Sequence, residues 1–139
     1  MSLRVFNNIG VGYNVYDQFG ALLQDPSTSI KNIPFVANDN ISAFQVVTSN
    51  GKIANSSNVA HKNKIIGISL TDVLIGFSGT AIGFGIIQNS AWTWTIGDKI
   101  FLNGTSLSIT APATGFSLLI ATAIAIDTLD IIMQPSILL

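Results

Sequence analysis

Side chains able to do chemistry are few in this sequence and thinly spread. His61 is the only histidine, and there is no cysteine. A Ser–His–Asp triad would use His61 as the base between a nucleophile and an orienting acid, and serines and aspartates are present for those roles. The Gly-x-Ser-x-Gly turn that presents such a serine does not occur. A transition-metal site fails for want of a second histidine or a thiolate to share the ion. Disulfides and a cysteine nucleophile drop out with the cysteines. His61 therefore reads as a polar residue of a helix or loop surface, and no catalytic, cofactor-binding or metal-ligating residue is assigned. The chain is expected not to be an enzyme.

The seven acidic residues are all aspartates. Asn38-Asp39-Asn40 and Asp127-x-x-Asp130 offer oxygen ligands for calcium, but neither follows the EF-hand loop. Asp and Asn in such places are turn formers more often than ligands. No spacing singles out a carboxylate pair for glycoside hydrolysis. Gly10-x-Gly12 and Gly83-x-Gly85 are fragments of phosphate-loop patterns with no helix signal behind them. Asn40-Ile41-Ser42, Asn55-Ser56-Ser57 and Asn103-Gly104-Thr105 match the glycosylation sequon, a pattern frequent by chance in an Asn- and Ser-rich chain. Trp92-Thr93-Trp94-Thr95 is the exception. Alternation on a strand would put both indoles on one face, where they could stack on a sugar and make the chain a glycan-binding module. The competing reading, a core or interface role, is preferred because Ile96 continues that face.

The elements that must position these residues are strands. Turn-punctuated β signals run from Ile41 to the C-terminus. Residues 41–48 lead into Asn50-Gly51, a strong hairpin signal, and return over 52–54. Strands are expected at 64–70, 80–87, 92–96, 99–102 and 107–109, with a second hairpin turn at Asn103-Gly104. Residues 117–126 and 128–133 pair about a tight turn at Asp127, and 59–63 is the one helical turn. The fold class is all-β: a small antiparallel β-barrel or sandwich with short hairpins, preceded by an N-terminal arm or additional strands. Residues 1–34 hold only weak strand candidates, at 12–16 and 21–23 around a turn at 17–20, followed by loop at 25–29. They are assigned as the arm or extra strands, and 35–139 as the β-domain.

Alternation within the strands suggests an unusual second face. Ile82, Phe84 and Ile86 oppose Ala81, Gly83 and Gly85. Ile66, Ile68 and Leu70 oppose Ile65, Gly67 and Ser69. Leu118, Ile120, Ile124 and Ile126 oppose Ala121, Ala123 and Ala125. A wetted face normally carries charged or hydroxyl side chains. Small uncharged ones imply close approach, either by a second sheet of the same chain or by another subunit.

Composition implies a surface kept soluble by hydroxyls and amides, or one hidden in an assembly. Across 139 residues only 9% are charged, while 48% are hydrophobic. No charged residue lies between Asp72 and Asp98, or between Lys99 and Asp127. A net charge of −1 with six scattered Lys and Arg offers no basic patch for nucleic acid. Glycines, prolines and amides interrupt both charge-free stretches, so neither gives the roughly 20 apolar residues of a membrane-spanning helix. The first residues lack the apolar stretch of a secretory signal.

The segment from Ala60 to Ile68 resembles part of the small β-domains of bacteriophage virion proteins, in which a His-containing turn precedes a Gly-centred strand. Ser78-Gly79-Thr80-Ala81-Ile82 follows in matching order. So does Trp92-Thr93-Trp94-Thr95-Ile96-Gly97-Asp98-Lys99-Ile100-Phe101-Leu102, similar to that family's Trp-x-Trp-x-x-Gly-Asp run, the most specific piece. Leu107 to Thr110, residues 112–116 and residues 131–135 complete a likeness covering about 41–136. The resemblance implies a structural protein of the virion, made in the host cytoplasm, that decorates (cements) the capsid or builds a head or tail fibre, commonly as a homotrimer. It brings no catalytic residue and no cofactor. Gly97-Asp98 reads as the turn that starts the next strand. The uncharged stretch 72–87 departs from relatives, which tend to carry acids there. Residues 1–40 have no counterpart. Partners are thus expected to be copies of the chain and a capsid or other virion protein, with no nucleic acid and no membrane. The structural and interface candidates are Trp92, Trp94, Gly97, Asp98, Ala81, Gly83, Gly85, Ala121, Ala123 and Ala125.

Overall fold

A computed structural model of the chain describes residues 31–139, together with the backbone of 16–17 and 19–20. The latter are two short paired segments, β1 (Tyr16–Asp17) and β2 (Phe19–Gly20). The candidate strands at 12–16 and 21–23 and the loop at 25–29 otherwise lie outside the described residues.

The main body is β3 (Lys31–Val36), β4 (Val46–Thr48), β5 (Ile65–Ser69), β6 (Ser78–Gln88), β7 (Lys99–Asn103), β8 (Ser106–Ser108), β10 (Leu119–Ala125) and β11 (Thr128–Ile132). These form one antiparallel sheet in the order β4-β5-β6-β11-β10-β7-β8, curled into a nearly closed barrel. The remaining strands, β9 (Phe116–Ser117) and β12 (Ile137–Leu138), pair beside it. The one helical element among the described residues is a 3-10 turn at Val59–His61, with Asn58 capping it by accepting from the Ala60 N–H. The all-β, barrel-like class expected from the sequence is the one observed.

β6 is the spine, because it is long enough to serve three partners. Its residues Ala81 and Ile82 pair with both Ile33 and Asn32 of β3 and Ser69 and Ile68 of β5. A strand has two edges, so β3 and β5 lie on opposite sides of β6. Its C-terminal half then pairs with β11 from Phe84 to Gln88. β3 carries Pro34, which has no N–H to donate, and among the described residues β3 pairs with β6 alone. It runs straight through the expected boundary at Pro34, so residues 31–34 belong to the barrel sheet rather than to a separate arm.

Two hydrophobic clusters flank this sheet. The barrel interior contains Val46, Ile68, Ile82, Ile87, Ile100, Leu102, Phe116, Leu118, Ile120, Leu129 and Ile131, all buried, with Ala121 and Ala123 among them. A smaller cluster of Phe35, Ala37, Ile41, Val47, Val73 and Ala81 lies on the other face, with Ile66 against it. Ala81 and its neighbour Ile82 thus fill different cores, as alternation requires.

The expected same-face rows are corrected at four places where one strand carries an extra residue. The pairing of β4 with β5 steps from Gly67 to Ile65, skipping Ile66. That of β3 with β6 skips Gly83. That of β7 with β10 skips Ile120, and that of β10 with β11 skips Ile124. Each bulge reverses which side chains face inward. Ile65 and Ile68 therefore share the barrel side, while Leu70 is exposed. Ile87, not Ile86, enters the core. In β10 the inward set changes from Leu118 and Ile120 to Ala121 and Ala123, leaving Ile124 and Ile126 outside. The small residues taken for a second face are accordingly inside: Ala81, Ala121 and Ala123 are buried within this chain's own cores. A Cβ on Gly83 would lie 2.7 Å from the Ile66 carbonyl oxygen. Gly85 is buried and Ala125 half-buried. For Ala81, Ala121, Ala123 and Gly83 the close neighbours lie within this chain.

Candidate functional site

The tryptophan segment is not a strand. Residues 89–98 form a loop held to the barrel by backbone hydrogen bonds at Asn89, Trp94, Gly97 and Asp98 and closed on itself at Trp92. The Asn89 N–H donates to Asp127 O (2.9 Å), Trp92 N–H to Asn89 O (3.0 Å), Trp94 N–H to Ile126 O (2.7 Å) and Gly97 N–H to Ala123 O (2.8 Å). Asp98 closes the run: its carboxylate accepts from the Thr95 N–H (2.9 Å) and its carbonyl from the Ala123 N–H (2.9 Å). Gly97 and Asp98 thus form the turn that delivers the chain into β7.

The loop leaves Trp92 and Trp94 half-buried against the barrel core. Their ring centroids are 6.0 Å apart and the planes are inclined by 52°. Ile96 does not continue their face, being 73% exposed. The third ring is Phe44, edge-on to Trp92 at 5.2 Å and 67°. Phe44 sits in a turn whose Gln45 N–H returns to Ser42 O (3.2 Å), at φ 65°. That is the left-handed region, where a bulky residue is strained. Its own N–H donates to Ser69 O, and Asp72 accepts from the Ala43 N–H (2.8 Å), which pins the turn.

These rings border an open cleft of about 360 Å³, completed by Gln45, Asn89, Thr105, Ser106 and Leu107. No charged side chain lines it. Asn89 Oδ1 accepts from the Ala91 N–H (3.1 Å) and Gln45 Oε1 from the Ser42 N–H (2.8 Å), which fixes both carboxamides. The Trp94 indole N–H is buried without an acceptor among the described residues. Phe44 and the β8 residues could not be joined to the tryptophans from sequence, because only the barrel brings the 42–45 turn and the β7–β8 hairpin beside the loop.

Scans against protein-family models, curated proteins and solved structures found no match.

The other candidate chemistry is occupied locally. His61 Nδ1 accepts from the Asn55 N–H (3.0 Å), and its Nε2 lies 3.3 Å from Asn58 Nδ2, so the ring braces the 55–61 loop. Asp39 accepts from the Ile53 N–H (2.9 Å) and meets Lys52 in an exposed ion pair at 3.8 Å. Asn40 accepts from the Ile75 N–H (3.1 Å), and Asn38 donates to Asn50 O (3.0 Å). Asp127 is held below its ordinary carboxylate value by the Gln88 side-chain amide (2.8 Å) and then the Thr128 hydroxyl (2.9 Å). Asp130 stands across from Ile86 on a neighbouring strand. Among the described residues no group of three or more His or Asp side chains is placed to hold a metal ion. No helix among them is long and apolar enough to cross a membrane.

Among the large apolar side chains that reach solvent, two groups stand out. Val36, Leu74, Ile75 and Phe77 form one, tied together where the Ala37 N–H donates to Phe77 O and the Gly76 N–H to Ala37 O (both 2.9 Å). Ile86, Ile124 and Ile126 lie on the outer side of β6 and the β10–β11 hairpin. The sequence signal for both was the long absence of charge; the inward and outward assignments waited on the bulges.

Proposed function

We propose that the chain is a structural subunit of a bacteriophage virion, a capsid decoration (cement) protein that assembles as a homotrimer on the capsid lattice. One observation carries this reading. The barrel exposes Val36, Leu74, Ile75 and Phe77 together, with Phe77 65% exposed, and the last three lie in a stretch that has no charge from 73 to 97. Contiguous apolar side chains on a soluble domain mark surfaces that a partner covers. The likeness of the Trp-x-Trp-x-x-Gly-Asp run to virion β-domains supplies the kind of partner. The turns and straps around His61 and the aspartates have structural uses, which fits a scaffold rather than a catalyst. A head or tail fibre module is the nearest alternative and would use the same surfaces.

Two measurements test the proposal. Light scattering on the purified protein should give a mass near three times 14.7 kDa. Gold-labelled antiserum against the chain should decorate intact particles of its phage in the electron microscope, over the head for a decoration subunit and over the fibres for the alternative. A monomer at all concentrations that never labels particles would overturn it.

A further inference from the structure

We infer that the cleft bordered by Phe44, Trp92 and Trp94 binds a neutral pyranose oligosaccharide, a function beyond assembly of the subunit. Three features of the cleft point to that class of ligand. Its rings are inclined to one another by 52° and 67°, forming a concave cup rather than the parallel slot that suits a flat aromatic ligand. The chair of a pyranose presents a face of C–H groups, whose positive edges pack on the negative faces of aromatic rings, while its hydroxyls radiate sideways. The carboxamides of Asn89 and Gln45 and the hydroxyls of Thr105 and Ser106 share the lining with the rings, so polar partners for the sugar hydroxyls stand in the same cleft. Asn89 and Gln45 have their oxygens bound to backbone N–H groups. Their amide nitrogens, which have no partner among the described residues, are left to donate to sugar oxygens. The lining has no charge, which selects against sialylated or sulfated sugars and against nucleic acid.

The site is also built in advance. The Trp loop is strapped to the β10–β11 hairpin and to β10 itself, so little ordering accompanies binding. Phe44 holds its ring against Trp92 from a left-handed backbone conformation that glycine would adopt without strain. Strained residues of this kind persist where the surrounding structure enforces them, and they concentrate at ligand-binding places. The volume of about 360 Å³ lies within the range of small-ligand sites.

The test uses the full chain and its own tryptophan fluorescence, titrated separately with maltohexaose, cellohexaose and chitohexaose. At least one should give a saturable shift in emission. Trp92→Ala should weaken that binding roughly tenfold or more. Ser106→Lys, at an exposed position on β8, places a long charged side chain in the cleft while leaving the rings untouched, so it should do the same with the parent's melting temperature. Ile96→Lys, on the same loop but outside the lining, should bind as the parent does. The inference is overturned if no sugar saturates, if Ser106→Lys binds like the parent, or if a sialylated hexasaccharide binds more tightly than all three. The virion reading is tested separately, by mass in solution and particle labelling, and none of these sugar-binding outcomes decides it.

Discussion

Ser56 and Gly104, forty-eight residues apart, exchange two hydrogen bonds: the Ser56 N–H donates to Gly104 O (2.9 Å) and the Gly104 N–H donates to Ser56 Oγ (2.8 Å). Ser56 O also accepts from the Phe116 N–H (3.0 Å). This buried serine fastens the loop after β4 to the β7–β8 hairpin and to β9, drawing together the two ends of the sheet order. Gly115 is part of the fastening, since at φ 84° a Cβ there would lie 2.0 Å from Ser56 O.

Ser56→Ala should therefore destabilise the barrel by about 0.5–1.5 kcal/mol, the net worth of a part-buried hydrogen bond. Gly115→Ala should cost more, through both the clash and the backbone conformation. Urea unfolding would check both; a Ser56→Ala midpoint equal to the parent's would show the barrel closes without the fastening.

Ala123 and Ile124 are neighbours with opposite fates. Ala123 is buried in the barrel and Ile124 is on its outside. Ala123→Lys should abolish the cooperative fold, because the ammonium has no partner inside the core. Ile124→Lys should fold, with stability within about 1 kcal/mol of the parent. Circular dichroism melts separate the two, and a well-folded Ala123→Lys protein would contradict the inward placement of Ala123 that follows from the bulge at Ile120.

The indole N–H of Trp94 is a cost to the fold, not a support. It is buried with no acceptor among the described residues. Trp94→Phe should accordingly lose less than Trp94→Ala, which removes half-buried packing worth about 3 kcal/mol. Denaturant titrations of the two variants provide the comparison.

Asp127 gives a pH dependence with a definite sign. Its folded value is lowered, first by Gln88 and then by Thr128, so its contribution is present above the ordinary carboxylate value of 3.8 and fades as pH falls through the lower folded value. The Asp127 carbonyl also holds the Asn89 N–H at the start of the Trp loop. Tryptophan emission should thus be flat from pH 5 to 7 and shift only in more acidic solution. In Gln88→Ala that shift should begin at higher pH.

β3, starting at Lys31, pairs with β6 along one edge and brings Phe35 into the second cluster. A chain beginning at Lys31 should keep the barrel and a cooperative melt. One beginning at Ala37 loses β3, uncovers an edge of β6 and removes Phe35, and should aggregate. If the Lys31 chain is itself unfolded, the first thirty residues supply part of the core.

The class of this fold and the place of most strands are legible from residue types alone. Period-two patterning in 64–70, 80–87 and 117–133, and the turns at Asn50-Gly51, Asn103-Gly104 and Asp127, are local properties of residue type, and local geometry answers to them. The sequence did not reveal β3, because Lys31-Asn32-Ile33-Pro34 has little strand character and is held by pairing with β6. It also placed Trp92 to Ile96 on a strand, where backbone bonds to β10 and its hairpin make a loop instead. Which faces look inward was decided only by the tertiary structure. Closing a sheet into a barrel demands local kinks, and the residues skipped in pairing, Ile66, Gly83, Ile120 and Ile124, each slip the alternation by one. Nothing in an alternating row announces such a slip, since it depends on the register of a partner strand distant in sequence. For the same reason Ala121 and Ala123 are interior, Ile86 is 56% exposed, and Phe44 meets Trp92 across forty-eight residues of chain.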